Sequence, residues 1–178
     1  MSKLWIRARD RLTAAAYEYR RRNLFRKYFL NGPKKDAILL ASYPKSGNTL
    51  LRFIWLNMIA FSELEDEVVD FQKLDQIMPS DQFFTDLEQP WRYHSLPCLL
   101  KTHQNYRSEF QPFQAIHVVR NPLDAMVSNY NYFKARIGGP SDQTLSGLED
   151  RMFSNLSRHE GSFDNFVREH FQSWCDHY

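Results

Sequence analysis

Three short runs of this chain carry residue types and spacings suited to anion chemistry. In SYPKSGNTLLRF, Ser42 to Phe53, a single turn brings together Lys45, Ser46, Gly47, Asn48 and Thr49. In QAIHVVRNPLDAMVSNYNYF, Gln114 to Phe133, Arg120 stands before Asn121-Pro122 and eight residues ahead of Ser128. Between them CLLKTHQ, Cys98 to Gln104, carries Lys101 and His103. Lysine and arginine supply charge, and arginine makes a forked, charge-assisted contact with phosphate-like oxygens. A histidine, with an ordinary pKa near 6.5, can accept a proton at neutral pH. A phosphate or sulfate group is the natural occupant of such a set.

The flanking segments would have to position these residues. Ala37 to Ser42 is apolar and strand-like, and the stretch after Gly47 reads as an apolar helix ending near Ala60. A strand, a tight turn and a helix N-terminus form an anion site, because the first-turn N–H groups lack intrahelical partners and the helix dipole favours negative charge there. Cys98 to Thr102 and Ala115 to Val119 read as two further buried strands. Pro122 suits a first helical turn, and Asp124 suits its positive end. The expected fold is α/β, three layers deep (α/β/α), with a central, mostly parallel sheet. Lys45, His103 and Arg120 then fall at the C-terminal ends of strands, where open α/β sheets bind ligands.

The first run is not the common nucleotide loop GxxxxGK[ST], whose lysine follows the second glycine. Its order, PKSGNT, resembles the 5′-phosphosulfate loop of sulfotransferases that use 3′-phosphoadenosine 5′-phosphosulfate (PAPS), which have a P-loop-like fold. RNPLDAMVSNYNYF resembles the 3′-phosphate motif of the same family, and KTH its catalytic segment. The resemblance implies sulfuryl transfer from PAPS to a hydroxyl or amine. It implies His103 as general base, with Lys45 and Lys101 stabilising charge at the reacting group. Lys45, Ser46, Gly47, Asn48 and Thr49 would hold the 5′-phosphate, and Arg120 and Ser128 the 3′-phosphate. The scheme requires no metal, and no metal-ligand spacing occurs in the sequence.

Two departures from the family pattern stand out. Leu50 occupies the place where many members carry a tryptophan against the adenine. Family members also continue through another core strand and a basic RKGxxG-like loop, which does not occur before Tyr178. The expectation is an N-terminal portion of the domain, ending in a core-facing helix marked by Phe163, Phe166, Val167, Phe171 and Trp174. The rival readings are a non-catalytic nucleotide- or partner-binding domain and a P-loop nucleotide kinase.

Composition argues against disorder, with 43% apolar and 15% aromatic residues in 178. Two cysteines form no disulfide framework. No run approaches the length of a membrane span and no signal-peptide core opens the chain, so the expectation is cytoplasmic. The formal charge of +2 hides an asymmetry: residues 1–35 carry 11 basic and 2 acidic side chains, and the remainder 12 and 19.

Residues 1–35 therefore read as a basic helical segment with Leu4, Ala8, Leu12, Ala15, Ala16 and Tyr19 on one stripe, stopped by Asn31-Gly32-Pro33. Residues 36–178 form the sulfotransferase domain. Residues 1–30 have two readings, peripheral contact with an anionic membrane or a basic face on a helix packed against the domain, and the second is preferred. No nucleic acid is expected. Helices are expected around Val68 to Met78, Gln82 to Leu87 and Leu145 to Leu156, with a loop at Gly138-Gly139-Pro140. The acceptor, a small molecule or carbohydrate, is not specified by the sequence, and neither is the oligomeric state.

Overall fold

A computed structural model describes residues 16, 19–20, 22–64, 68–80, 90–135 and 162–176. Three strands, β1 (Ile38–Ser42), β2 (Leu99–Thr102) and β3 (Ala115–Val118), form one parallel sheet in the order β2-β1-β3. Each lies inside its expected segment. Val119, expected as the last residue of β3, falls just outside it and is exposed.

Among the described residues the sheet is accompanied by helices α1 (Asn48–Glu63), α2 (Phe71–Ile77), α3 (Pro122–Lys134) and α4 (Phe163–Cys175). The helix expected from Val68 starts only at Phe71, because Asp70 adopts an extended conformation and its carboxylate caps the helix by accepting from the Lys73 N–H at 2.7 Å. Asn121 caps α3 in the same way, accepting from the Leu123 N–H, with Pro122 at the first position. The expected helices at Gln82–Leu87 and Leu145–Leu156, and the Gly138-Gly139-Pro140 loop, lie outside the described residues.

Alternation along β1 and β2 buries side chains on both faces there, whereas β3, expected as a buried strand, alternates exposed and half-buried residues beside β1. Leu40 and Leu99 pack with Leu56 and Ile59 of α1 and with Leu74 and Met78 at α2. Leu39 and Leu100 pack on the other side against Phe25, Phe29 and Phe110. Phe25 and Phe29 bracket the start of a π-helical turn, Arg26–Leu30, so the end of the basic N-terminal segment belongs to the core of the domain. The turn closes through Asn31 N–H donating to the Arg26 carbonyl at 3.0 Å. Gly32 follows of necessity: a Cβ there would stand 2.3 Å from the Lys27 carbonyl oxygen. Of the stripe expected on that segment, Ala16 and Tyr19 are helical and exposed, and the rest lies outside the described residues.

A third cluster joins Tyr43 to Ala125, Met126 and Phe133 of α3 and Phe166 of α4. Phe166 is buried as expected, whereas Phe171 is 44% exposed and lies off the core-facing side of α4.

Arg52 ties α1 to α2. Its buried guanidinium donates to the Leu74 and Met78 carbonyls at 3.4 and 3.1 Å and to the Asp75 carboxylate at 3.2 Å. Burial lowers its pKa from the ordinary guanidinium value, with Asp75 opposing the shift. Because the Asp75 side chain is mostly exposed, the two carbonyl bonds at the C-terminus of α2 carry most of the effect. Arg52→Ala should destabilise the domain by about 2–4 kcal/mol through lost charge-assisted bonds and orphaned carbonyls. A urea unfolding midpoint equal to that of the unaltered protein would refute this.

At its far end α1 fixes the approach to β2. Glu63 accepts from the backbone N–H groups of His94 and Ser95, and Trp55 donates to the Pro97 carbonyl at 3.0 Å.

Candidate active site

The sheet places the chemistry through its register. Ala41 pairs with Thr102 and Ser42 with Val118. One step further along the parallel ladder sets Ser42 beside His103. The contact is direct: His103 Nδ1 lies 2.6 Å from the Ser42 carbonyl oxygen and 3.3 Å from its hydroxyl. A carbonyl only accepts, so Nδ1 carries a proton. In neutral imidazole the basic nitrogen is then Nε2. His103 is buried at 9% exposure, immediately beyond β2.

Between β1 and α1 the backbone twists into an unusual loop. Lys45 has φ 66° and Gly47 φ 112°, the only positive φ values among the described residues. Left-handed backbone is strained for lysine by about 1–2 kcal/mol and easy for glycine. Such strain persists only where neighbours hold it. Two do so here: Arg120 Nη1 donates to the Lys45 carbonyl at 3.0 Å, and the Lys45 ammonium sits 3.4 Å from the centroid of the Tyr132 ring. At Gly47 an added Cβ would meet, among the described residues, Val118 Cγ1 at 3.7 Å, so the backbone at the start of α1 is not closely covered there.

The structure thus brings Lys45 and Arg120 together at one loop, with His103 beside Ser42 at its neck. Ser46 is buried, Thr49 and Leu50 are exposed, and Lys101 is half-buried within β2. Ser128 is half-buried on α3, one turn before Tyr132 and on the same face. Among the described residues the Arg120 guanidinium bonds to the Lys45 carbonyl and not to Ser128. The Asn48 amide is turned inward, donating to the Leu40 carbonyl at 3.3 Å and the Ser42 hydroxyl at 3.0 Å.

Sequence reasoning missed Ser42 and Tyr132. The spacing of Tyr132 from Ser128 was a usable signal, whereas the role of Ser42 depends on pairing across the sheet.

Chemically the arrangement suits an anionic ligand and a proton acceptor. The sequence model of the sulfotransferase domain matches residues 35–178, most of the chain. The chain belongs to the sulfotransferase family. No solved structure matches it significantly. Family membership makes a transferase the expected activity class, and the parallel α/β sheet agrees with the family fold.

Two other features of this sulfotransferase domain bear on its chemistry. Cys98 is buried, its thiol pKa pushed up to about 12, and is no candidate nucleophile; Cys175 is exposed and free. Among the described residues no group of three or more His, Cys, Asp or Glu is placed to hold a metal ion, and no helix is long and apolar enough to cross a membrane.

Proposed function

We propose that this domain transfers a sulfuryl group from PAPS to a hydroxyl or amine of a small-molecule or carbohydrate acceptor, with His103 as general base. The observation that carries the reading is the Nδ1 contact of His103 with the Ser42 carbonyl, at the neck of a loop whose Lys45 carbonyl holds Arg120. It leaves Nε2 as the basic nitrogen and groups it with two cations at one end of the sheet.

The donor, when bound, supplies the sulfuryl group and a phosphate leaving group. His103 Nε2 takes the proton of the acceptor hydroxyl or amine as the new bond to sulfur forms. The Lys45 ammonium leaves the Tyr132 ring and balances negative charge on the oxygen from which sulfur departs. Lys101 adds positive potential at the sulfuryl group.

Ser46, Gly47, Thr49 and the Asn48 backbone face the 5′-phosphate at the α1 N-terminus. Arg120 and Ser128 serve the 3′-phosphate, and Leu50, 66% exposed, offers the adenine an aliphatic surface where an indole is absent. The cytoplasmic setting belongs to the same proposal.

Thermal melts test it. Adenosine 3′,5′-bisphosphate should raise the melting temperature more than ATP does, since a ligand bound only to the native state stabilises it. Arg120→Ala should weaken the bisphosphate by about 1.5–3 kcal/mol, roughly 10- to 150-fold in Kd. ATP preference would favour the kinase reading. An unchanged affinity in the variant would remove Arg120 from the site.

A further inference from the structure

Asn48 opens α1 in the anion-binding loop, yet the residue is 4% exposed and its amide faces the interior. The Leu40 carbonyl 3.3 Å away can only accept, which identifies the nearby amide atom as nitrogen. That nitrogen also donates to the Ser42 hydroxyl at 3.0 Å, so the Ser42 oxygen acts as acceptor on that side. The same hydroxyl lies 3.3 Å from His103 Nδ1, a donor because of its contact with the Ser42 carbonyl. The single Nδ1 proton points mainly to the Ser42 carbonyl, and the longer contact makes the hydroxyl the weaker arm of a bifurcated bond, so one Ser42 hydroxyl accepts from both Asn48 and His103. The Asn48 amide oxygen, by contrast, is buried with no hydrogen-bond partner among the described residues. An uncompensated acceptor is costly, so the donor is the functional half of this side chain.

We propose that Asn48 is a positioning residue for the base: its amide, acting through the Ser42 hydroxyl, holds the His103 ring so that Nδ1 keeps its proton and Nε2 meets the acceptor. The inference rests on the reading of His103 as general base. It gives the Asn48 side chain a role distinct from phosphate binding, to which the residue contributes its backbone N–H. The same amide bridges the last residues of β1 to the first of α1, so the neck of the loop and the ring are set together. A ring free to tilt would spend less time in reactive geometry, lowering turnover without loosening the nucleotide.

Asn48→Ala should lower kcat about tenfold or more while the KM for PAPS and the Kd for adenosine 3′,5′-bisphosphate stay within about twofold. The further loss should vanish in a Ser42→Ala or His103→Ala background, because the link passes through those groups. NMR of the histidine ring nitrogens supplies a readout independent of turnover. The unaltered protein should show a slowly exchanging Nδ1 proton on His103, and Asn48→Ala should speed that exchange at least about tenfold. Asn48→Thr, whose hydroxyl can donate once, should restore part of both effects and serves if the alanine variant fails to fold.

Parallel loss of bisphosphate affinity and turnover would overturn the proposal in favour of direct nucleotide contact. An unchanged proton exchange in both Asn48 variants would overturn it as well. Absence of turnover in the unaltered protein, with the ring behaving as stated, would defeat the transferase reading while upholding the Asn48–Ser42–His103 link.

Discussion

His103→Ala should lower kcat by about 10²–10⁴-fold, the range for loss of a positioned general base, and should change bisphosphate affinity by less than about twofold. The two halves of this expectation have separate origins. The imidazole donates to the Ser42 carbonyl and lies beside the loop neck, whereas the cations assigned to phosphate are Lys45 and Arg120. Deleting the ring thus removes the proton acceptor and spares the anion-binding charge. Because His103 is buried, the variant's thermal melt has to be recorded alongside its kinetics. A cooperative transition close to that of the unaltered protein, with turnover gone, assigns the loss to chemistry. Normal turnover in a folded variant would remove His103 from the mechanism.

The second large effect is expected at Lys45. Lys45→Met should reduce kcat by about 10²–10³-fold, as for removal of a preorganised charge at a developing anion. The ammonium now rests over the Tyr132 ring, 3.4 Å from its centroid, a contact worth about 0.5–2 kcal/mol. That is small enough for a dianionic ligand to draw the side chain away. The position of the charge is governed by the backbone: with φ 66°, Lys45 projects from a strained loop whose carbonyl Arg120 grips. Methionine keeps much of the stem and the strain but not the charge, so the variant separates electrostatics from loop geometry. If kcat is unchanged while the melting temperature falls, Lys45 serves only to fasten the loop to α3.

These two residues and Arg120 illustrate what was legible in the linear chain. Strands β1, β2 and β3 announced themselves as short apolar runs bounded by polar turns, and each observed span lies within the expected one. The loop at Lys45–Thr49 and the start of α3 at Pro122 were equally readable, since local backbone chemistry governs both: glycine for positive φ, and proline with an asparagine cap for a helix start. Boundaries were less so. The beginning of α2 was set by whether the Asp70 side chain capped the helix, and the exposure of Phe171 by which side of α4 met the core.

The sequence by itself determined the fold class, the three clusters of candidate site residues and the strand ends that carry them, because each follows from composition and order within a few residues. Tertiary structure alone decided the partnerships. His103 reaches Ser42 only because β2 pairs with β1 in one register, and a shift by a single residue would turn that side chain to the opposite face. Arg120 meets the Lys45 carbonyl because β3 occupies the other side of β1. Asn48, by type and position a phosphate contact, turns inward because the Leu40 carbonyl and the Ser42 hydroxyl both lie within reach of its amide. Order along the chain specifies which groups are present, while pairing between strands distant in sequence settles which of them can exchange a proton.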